Sequence, residues 1–227
     1  MRAADSARVV HLCAARCAPF LAHKWPTHAL RLTQALGNIK GNPVGLNELP
    51  ENLPVPQDDG AANHLEGTSW PDVSFNSTNQ EQTNLRELKG SIVLYVYPMT
   101  GRPDTALPEG WDGIPGARGC TPQSCSFRDH HLELLELNAQ VYGLSSQTTE
   151  YQLEARERLH LPFNLLSDSD FQLKKELNLP TFEVEGKELY KRITIILRLN
   201  EIVKVFYPVF PPGENADNVI VWLRENA

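Results

Sequence analysis

The heptapeptide SIVLYVY, residues 91–97, decides the fold class of this chain. It is apolar almost throughout, it is rich in β-branched and aromatic residues, and Gly90 and Pro98 bound it. A short apolar run stopped by glycine and proline is typical of a strand that is buried on both faces of a sheet. Such strands occur where helices cover both sides of the sheet, so the segment predicts an α/β domain.

The rest of the chain alternates between strand and helix patterns. Apolar segments of strand length lie at 140–144, 163–166, 193–197 and 203–207, and a short hairpin is expected at 73–75 and 82–85. Helical patterns lie at 122–137, 149–159, 170–177 and 215–225. In the first of these helices, Leu132 and Leu135 are expected to pack against the body of the domain. Because strands alternate with helices and end in a terminal hairpin, we expect a central mixed β-sheet with helices on both faces.

The composition excludes several classes of protein. The chain has 227 residues, of which 41% are hydrophobic and 22% are charged, as in ordinary globular proteins. No apolar run approaches the ~18–20 residues that a membrane helix needs. The formal net charge of −7 argues against general nucleic-acid binding, which depends on basic side chains that neutralise phosphates. We therefore expect neither a nucleic acid nor a membrane as a partner.

Charge divides the chain into regions. Residues 1–41 hold six Lys and Arg and one acid, a net charge of +5, whereas the other 186 residues carry −12. We interpret this basic segment as a poorly ordered extension of a cytoplasmic protein. The alternative is a transit peptide for mitochondria or plastids, which are also basic and poor in acids. Residues 42–72 are rich in Pro, Gly and Asn and predict an extended arm, so the α/β domain is expected at 73–227.

The segment GARGCTPQSCSFRD, residues 116–129, carries the candidate chemistry. It follows the central strand and begins a helix, and sites form at such places in open α/β sheets. Pro122 is tolerated only in the first helical turn, so Cys120 lies at or just before the helix N-terminus. Free backbone N–H groups and the helix dipole favour a thiolate there, and Arg118 and Arg128 add positive charge. A thiolate of this kind attacks oxidants and disulfides.

A second cysteine, Cys125, follows five residues after Cys120. In an unbroken helix this offset separates the two Cα atoms by ~8–9 Å. A disulfide needs Cα atoms that are no more than ~7 Å apart. The pair is therefore compatible with a folded helix only when reduced, and a bridge requires the first turns to unwind. The spacing suits a redox cycle with a conformational gate better than a permanent structural disulfide.

The sequence around both cysteines, GCT at 119–121 and FRD at 127–129, resembles the active-site loop and helix of the peroxiredoxins. It is most similar to the bacterioferritin-comigratory, or Q-type, subgroup, which has two cysteines five residues apart on one helix. Three further landmarks resemble that subgroup in order: VYGLS at 141–145, LPFNLLSD at 161–168 and KRITIIL at 191–197. The resemblance covers about residues 65–227 and implies a thioredoxin-like fold.

The resemblance implies a thiol-dependent peroxidase that reduces hydrogen peroxide, organic hydroperoxides or both. Cys120 would be the peroxidatic cysteine that becomes a sulfenic acid, and Cys125 would resolve this acid to an intramolecular disulfide. Arg192 would hydrogen-bond the peroxide and stabilise the thiolate, and Arg128 would be the supporting arginine on the helix. Thioredoxin or a similar dithiol protein would reduce the disulfide. We expect no cofactor, and a monomer or a weak homodimer.

The chain departs from the family pattern just before the peroxidatic cysteine. Peroxiredoxins place a proline seven residues and a threonine or serine three residues before it, where this chain has Gly113 and Ala117. Pro98 and Thr100 stand earlier, at the end of the central strand, and the insertion 101–117 follows them. We hypothesise that Pro98 and Thr100 supply the proline and the hydroxyl, with the hydroxyl within ~4 Å of the sulfur.

Two other functions use the same cysteines. The first is a thioredoxin-like module that senses redox state or binds a partner without efficient turnover. The second is a zinc site in which Cys120, Cys125, His130 and His131 have the spacing C-x4-C-x4-H-H. Zinc prefers closer cysteines and separated histidines, and adjacent histidines on a helix point about 100° apart. We therefore expect no bound metal.

Overall fold

The computed structural model describes residues 49–50 and 52–226 of the chain. The expectations for residues 1–41 lie outside the described residues. The strands are β1 (Ser74–Ser77), β2 (Gln82–Asn84), β3 (Ser91–Val96), β4 (Ala139–Ser145), β5 (Leu165–Ser167), β6 (Thr181–Val184), β7 (Lys187–Tyr190), β8 (Ile193–Arg198) and β9 (Glu201–Phe206). The α-helices are α1 (Cys120–Asp129), α2 (His131–Glu136), α3 (Thr149–Arg158), α4 (Gln172–Leu177) and α5 (Asn215–Glu225). None of the described helices is long and apolar enough to cross a membrane.

Seven of these strands form one mixed sheet in the order β2-β1-β5-β4-β3-β8-β9. All six residues of β3 are buried, and this strand pairs in parallel with β4 and antiparallel with β8. The terminal hairpin β8–β9 turns at Leu199 and Asn200, which both have positive φ angles, as a two-residue hairpin turn requires. The predicted mixed sheet is thereby confirmed, and residues 91–96 of the heptapeptide form one of its interior strands.

Both faces of the sheet are covered, because side chains alternate along β3. Ile92, Leu94 and Val96 belong to one apolar core, and Val93 and Tyr95 belong to the other. The second core includes the buried side chains of α1, α2 and α5: Phe127, Leu134, Ala216, Val219, Ile220 and Leu223. The helix that bears both cysteines is thus held against the central strand by apolar packing.

The segment that precedes β1 packs into the same body. Leu65 and Trp70 are almost fully buried in the first core, at 0% and 1% exposure. The backbone of this segment also pairs with β9: Gly67 N donates to the carbonyl of Ile202, and Ile202 N donates to the carbonyl of Thr68. Residues 62–70 therefore contribute to the folded core, although their composition predicts an arm.

The prediction of a single helix at 122–137 is wrong, since the structure has two helices there. The first helix begins at Cys120 and ends at Asp129. The backbone departs from helical geometry at His130, and α2 begins at the next residue. This break changes the phase of the following turn, so that Leu134 is fully buried in the second core. Leu132 and Leu135, expected to pack, are 76% and 47% exposed.

A second hairpin, β6–β7, escaped the sequence prediction. It forms a separate two-stranded sheet, and Glu185 and Gly186 make its turn with positive φ angles. The sequence TFEV of β6 alternates polar and apolar residues over only four positions, and KELY of β7 does not alternate, so the pair gives a weak strand pattern. Its apolar residues Val184 and Leu189 form a third apolar cluster with Trp111 and Ala117 of the insertion.

Candidate active site

Cys120 is the first residue of α1, and only 3% of its surface is exposed. Gly119 precedes it with a φ of 109°, a conformation that side chains disfavour. A Cβ atom on Gly119 would lie 2.3 Å from Cγ of Pro212, at the turn before α5. With Pro212 in place, a side chain at this position would overlap the proline ring and strain the backbone.

The structure brings Arg192 to Cys120. This arginine lies just before β8 and is 3% exposed, and its Nη2 is 3.2 Å from Cys120 Sγ. The same nitrogen donates to the carbonyls of Ala117 and Arg118, at 3.1 Å each, and Nε donates to the carbonyl of Gly116 at 3.3 Å. The loop before the helix thus holds the guanidinium in one orientation. A fixed positive charge beside the sulfur stabilises the negative charge of a thiolate.

A buried polar network, which the sequence analysis missed, holds the other side of this guanidinium. Gln123 is fully buried, its Oε1 accepts from Arg192 Nη1 at 2.5 Å, and its Nε2 donates to Asn215 Oδ1 at 2.9 Å. Asn215 Oδ1 also accepts from the hydroxyl of Thr194 at 2.6 Å. Gln123 lies three residues after Cys120 and therefore on the same face of the helix. This spacing is the feature of the sequence that could have predicted Gln123 as a site residue.

Cys125 lies on the same unbroken helix as Cys120, and both thiols are free. Five residues of helix separate their Cα atoms by ~8–9 Å, which exceeds the reach of a disulfide. Burial raises the pKa of the Cys125 thiol above its ordinary value, and the charge of Arg128 beside it offsets this only in part. Cys125 is therefore a protonated thiol at neutral pH.

The structure places Arg128 beside Cys125. Its Nη1 donates to the carbonyl of Leu159 at 2.9 Å, and its Nε donates to Asp129 at 2.8 Å. Eight residues of helix correspond to a rise of about 12 Å, so Arg128 lies far along α1 from Cys120. Arg118, the other arginine that the sequence singled out, is 8% exposed and pairs with Asp112 of the insertion at 3.4 Å.

Pro98 and Thr100 were hypothesised to supply the proline and the hydroxyl. Both form hydrogen bonds with residues at or just after the end of β4. The hydroxyl of Thr100 donates to Oε1 of Gln147 at 3.2 Å, and the carbonyl of Pro98 accepts from the hydroxyl of Ser145 at 3.0 Å. Within the described part of the chain, Cys120 Sγ has hydrogen bonds with Arg192 and with the carbonyl of Ala117. Among the hydrogen bonds of these described residues, the Thr100 hydroxyl pairs with Gln147 and not with Cys120 Sγ.

Tyr95 of β3 contacts the middle of α1. Its hydroxyl donates to the hydroxyl of Ser124 at 3.1 Å, and its ring stacks on Phe127 with centroids 4.7 Å apart. A Cβ atom on Gly143 would lie 2.6 Å from the Tyr95 ring, so the absence of a side chain at Gly143 makes room for it. Burial raises the pKa of Tyr95 well above its ordinary value, so the hydroxyl stays a donor.

The histidines of the zinc alternative face other groups. Nδ1 of His130 lies 3.1 Å from Glu133 and its Nε2 lies 3.3 Å from Asp217, while the ring of His131 lies 5.8 Å from that of Phe163. Among residues 49–50 and 52–226, no group of three or more His, Cys, Asp and Glu side chains is arranged to hold a metal ion.

Comparisons with known proteins show the family of the chain. The sequence model of the redoxin family matches residues 65–220. The chain is 28% identical over 160 residues to the chloroplastic peroxiredoxin Q of Sedum lineare, a match that covers 70% of this chain and 77% of that protein. It is 28% identical over 165 residues to the peroxiredoxin Bcp of Escherichia coli strain K12, covering 71% and 96%.

Solved structures show the same fold. The peroxidoxin BcpB of Mycobacterium tuberculosis matches with a TM-score of 0.60 and 23% identity, over 72% of this chain and 99% of that one. A PrxQ mutant from Xylella fastidiosa matches with a TM-score of 0.60 and 19% identity, over 72% and 98%. The thioredoxin-like α/β fold is thereby confirmed. Because the family model covers more than half of its length, the chain belongs to the redoxin family, and it is a homologue of the peroxiredoxins, the thiol-dependent peroxidases of that family.

Proposed function

We propose that this chain reduces peroxides with Cys120 as the peroxidatic cysteine and Cys125 as its resolving partner. The observation that carries the proposal is the contact of 3.2 Å between Arg192 Nη2 and Cys120 Sγ at the start of a helix. In the first step the Cys120 thiolate attacks one oxygen of the peroxide, and the O–O bond breaks. The sulfur becomes a sulfenic acid, and the other oxygen takes up a proton and leaves as water or an alcohol.

In the second step Cys125 attacks the sulfenic acid. The S–O bond breaks, a disulfide forms, and the hydroxyl leaves as water with the proton of the Cys125 thiol. Because α1 keeps the two cysteines too far apart for a bridge, this step requires the turns between them to unwind. The raised pKa of the Cys125 thiol supports its assignment as the second cysteine, since the first step needs a thiolate.

In the third step an external dithiol protein such as thioredoxin reduces the disulfide by exchange. One of its thiolates attacks a sulfur of the Cys120–Cys125 bridge, and its second thiol releases the reduced enzyme. The unwound segment exposes the bridge to this attack. We propose that the reductant acts on the unwound form of α1 and not on the folded helix.

A coupled assay tests the proposal. The full chain is mixed with thioredoxin, thioredoxin reductase, NADPH and hydrogen peroxide, and the consumption of NADPH is followed at 340 nm. Steady consumption that requires both the chain and the peroxide is expected. If the protein forms a disulfide once but does not consume NADPH continuously, it acts as a redox-sensing module and the proposal fails.

We also propose that residues 1–41 decide the location of the protein. Five of the matched relatives are named as chloroplastic proteins, and the basic charge of this segment suits a transit peptide. A transit peptide there would direct the protein to an organelle, and otherwise the protein stays in the cytoplasm. Fluorescent fusions with and without residues 1–41 separate the two cases, because only a transit peptide makes the two fusions differ in location.

A further inference from the structure

The insertion 101–117 lies beside Cys120 and is firmly attached there. Trp111 is 4% exposed and Ala117 is fully buried, and both pack against the hairpin β6–β7 in the third apolar cluster. The ring centroids of Trp111 and Phe182 are 6.2 Å apart, and Glu109 N donates to Glu185 Oε1 at 2.9 Å. The insertion is therefore part of the walls around the reactive sulfur and not a loop that projects from the domain.

The space at the sulfur is small. The pocket that Cys120 lines has a volume of about 20 Å³, and its apolar side chains come from Met99 and from Leu107, Trp111 and Ala117 of the insertion. A cavity of roughly 10–15 Å³ already holds one water molecule, whereas pockets for larger organic ligands measure about 300–1,000 Å³. The pocket thus has room for a molecule of two oxygen atoms, which is the size of hydrogen peroxide.

A larger pocket lies close by, but it does not include the sulfur. Its volume is about 390 Å³, and its lining includes Gly116, Phe182 and Arg192 but not Cys120. Arg192 both lines this pocket and hydrogen-bonds Cys120 Sγ, so the pocket reaches the arginine beside the sulfur but not the sulfur itself. The larger pocket is therefore the competing position for a hydrocarbon group.

We infer that the insertion makes this enzyme selective for hydrogen peroxide over hydroperoxides with bulky hydrocarbon groups, and that Leu107 and Trp111 set the size limit. The inference rests on the proposed function and adds its substrate class. The selectivity is steric: a bulky group on one peroxide oxygen meets the side chains of the insertion before the O–O bond reaches the sulfur.

The test compares rates for hydrogen peroxide, tert-butyl hydroperoxide and cumene hydroperoxide in the full chain and in three variants, Leu107→Ala, Val184→Ala and Phe182→Trp. Leu107→Ala removes side-chain atoms from the wall of the small pocket. Val184→Ala is the matched control, because Val184 belongs to the same apolar cluster but does not line that pocket. One methylene group in an apolar pocket is worth about 10–200-fold in discrimination, so Leu107→Ala is expected to raise the cumene-to-hydrogen peroxide rate ratio by at least tenfold. Val184→Ala leaves the ratio unchanged.

Three outcomes would overturn the inference. The first is an unmodified enzyme that reduces cumene hydroperoxide as fast as hydrogen peroxide, a result that needs no variant to fold. The second is an equal change of the ratio in Leu107→Ala and Val184→Ala, which would mean that the insertion acts only through stability. The third is a loss of cumene hydroperoxide reduction in Phe182→Trp, which would place the hydrocarbon group in the larger pocket. An enzyme that consumes no peroxide at all would instead refute the proposed function.

Discussion

The hydroxyl of Tyr95 donates a hydrogen bond of 3.1 Å to the hydroxyl of Ser124, one residue before Cys125. Both side chains are at most 1% exposed, so water does not replace the bond while α1 is folded. In the proposed unwinding of the turns between the cysteines, Ser124 would leave Tyr95 and the bond would be lost. The free energy of this contact therefore opposes the opening of the gate.

We expect Tyr95→Phe to accelerate disulfide formation. A buried hydrogen bond contributes about 0.5–1.5 kcal/mol, so its loss should raise the opening equilibrium by about 2–10-fold. The rate of conversion from sulfenic acid to disulfide, measured by rapid quenching and mass spectrometry, checks this. Tyr97→Phe is the control, because the hydroxyl of Tyr97 donates to Gln152 on α3 and not to α1. Equal acceleration in both variants would contradict a specific role for Tyr95.

Oxidation should raise hydrogen exchange in residues 119–127 and change it little in β3, because local opening occurs first in the least protected units. The helix α2 should keep its protection through Leu134, which is fully buried. Exchange mass spectrometry of the reduced and oxidised protein checks both statements. Equal protection of residues 119–127 in the two states would mean that no gate exists and that another thiol resolves Cys120.

Cys120→Ser should abolish peroxidase activity, because a hydroxyl group cannot supply the nucleophile at neutral pH. Cys125→Ser should instead allow a single turnover and leave Cys120 as a sulfenic acid. A sulfenic-acid trap, followed by mass spectrometry after one equivalent of peroxide, locates the product. Trapping at Cys125 in the Cys120→Ser protein would reverse the two roles.

Arg192→Met should slow the reaction with peroxide by about 10–100-fold, since hydrogen bonds to charged groups are worth about 1.5–3 kcal/mol. Stopped-flow measurement of the first oxidation step isolates this effect from recycling. Arg198→Met serves as the control: Arg198 lies at the other end of β8 and donates to the hydroxyl of Ser91 at 2.9 Å. A similar loss in both variants would show a general effect on the strand.

Gln123→Met should reduce the same rate, because the amide holds the Arg192 guanidinium in place. If Gln123 acts only through Arg192, the double variant with Arg192→Met should be no slower than Arg192→Met alone. Residues in one network show such non-additive effects, whereas independent residues add. Additive losses in the double variant would separate Gln123 from the chemistry of Arg192.

The fold was predictable where the pattern is local. The apolar heptapeptide of β3, the terminal hairpin and the range of α5 all follow from composition and periodicity. The hairpin β6–β7 was not predictable, because its charged residues conceal the alternation, and neither was the break at His130, which depends on how α2 meets the sheet.

The site was predictable only in part, because its contacts join residues that are far apart in the chain. Helix position singled out Cys120, but Arg192 is 72 residues away in the chain and was expected through a family resemblance. The bond between Gln123 and Asn215 joins residues that are 92 positions apart, and no local pattern marks it. Contacts of this kind depend on tertiary packing, which spacing along the chain does not encode.

The contact between Gly119 and Pro212 has a consequence for engineering. A library that varies position 119 alone should return only glycine among active clones, because any side chain there overlaps the proline ring and meets an unfavourable backbone angle. Joint variation of positions 119 and 212 relieves the overlap but leaves the angle, so residues that tolerate it, such as asparagine, should be the first replacements recovered. Two positions 93 residues apart would thus change together in a laboratory lineage, although neither one reacts with the substrate.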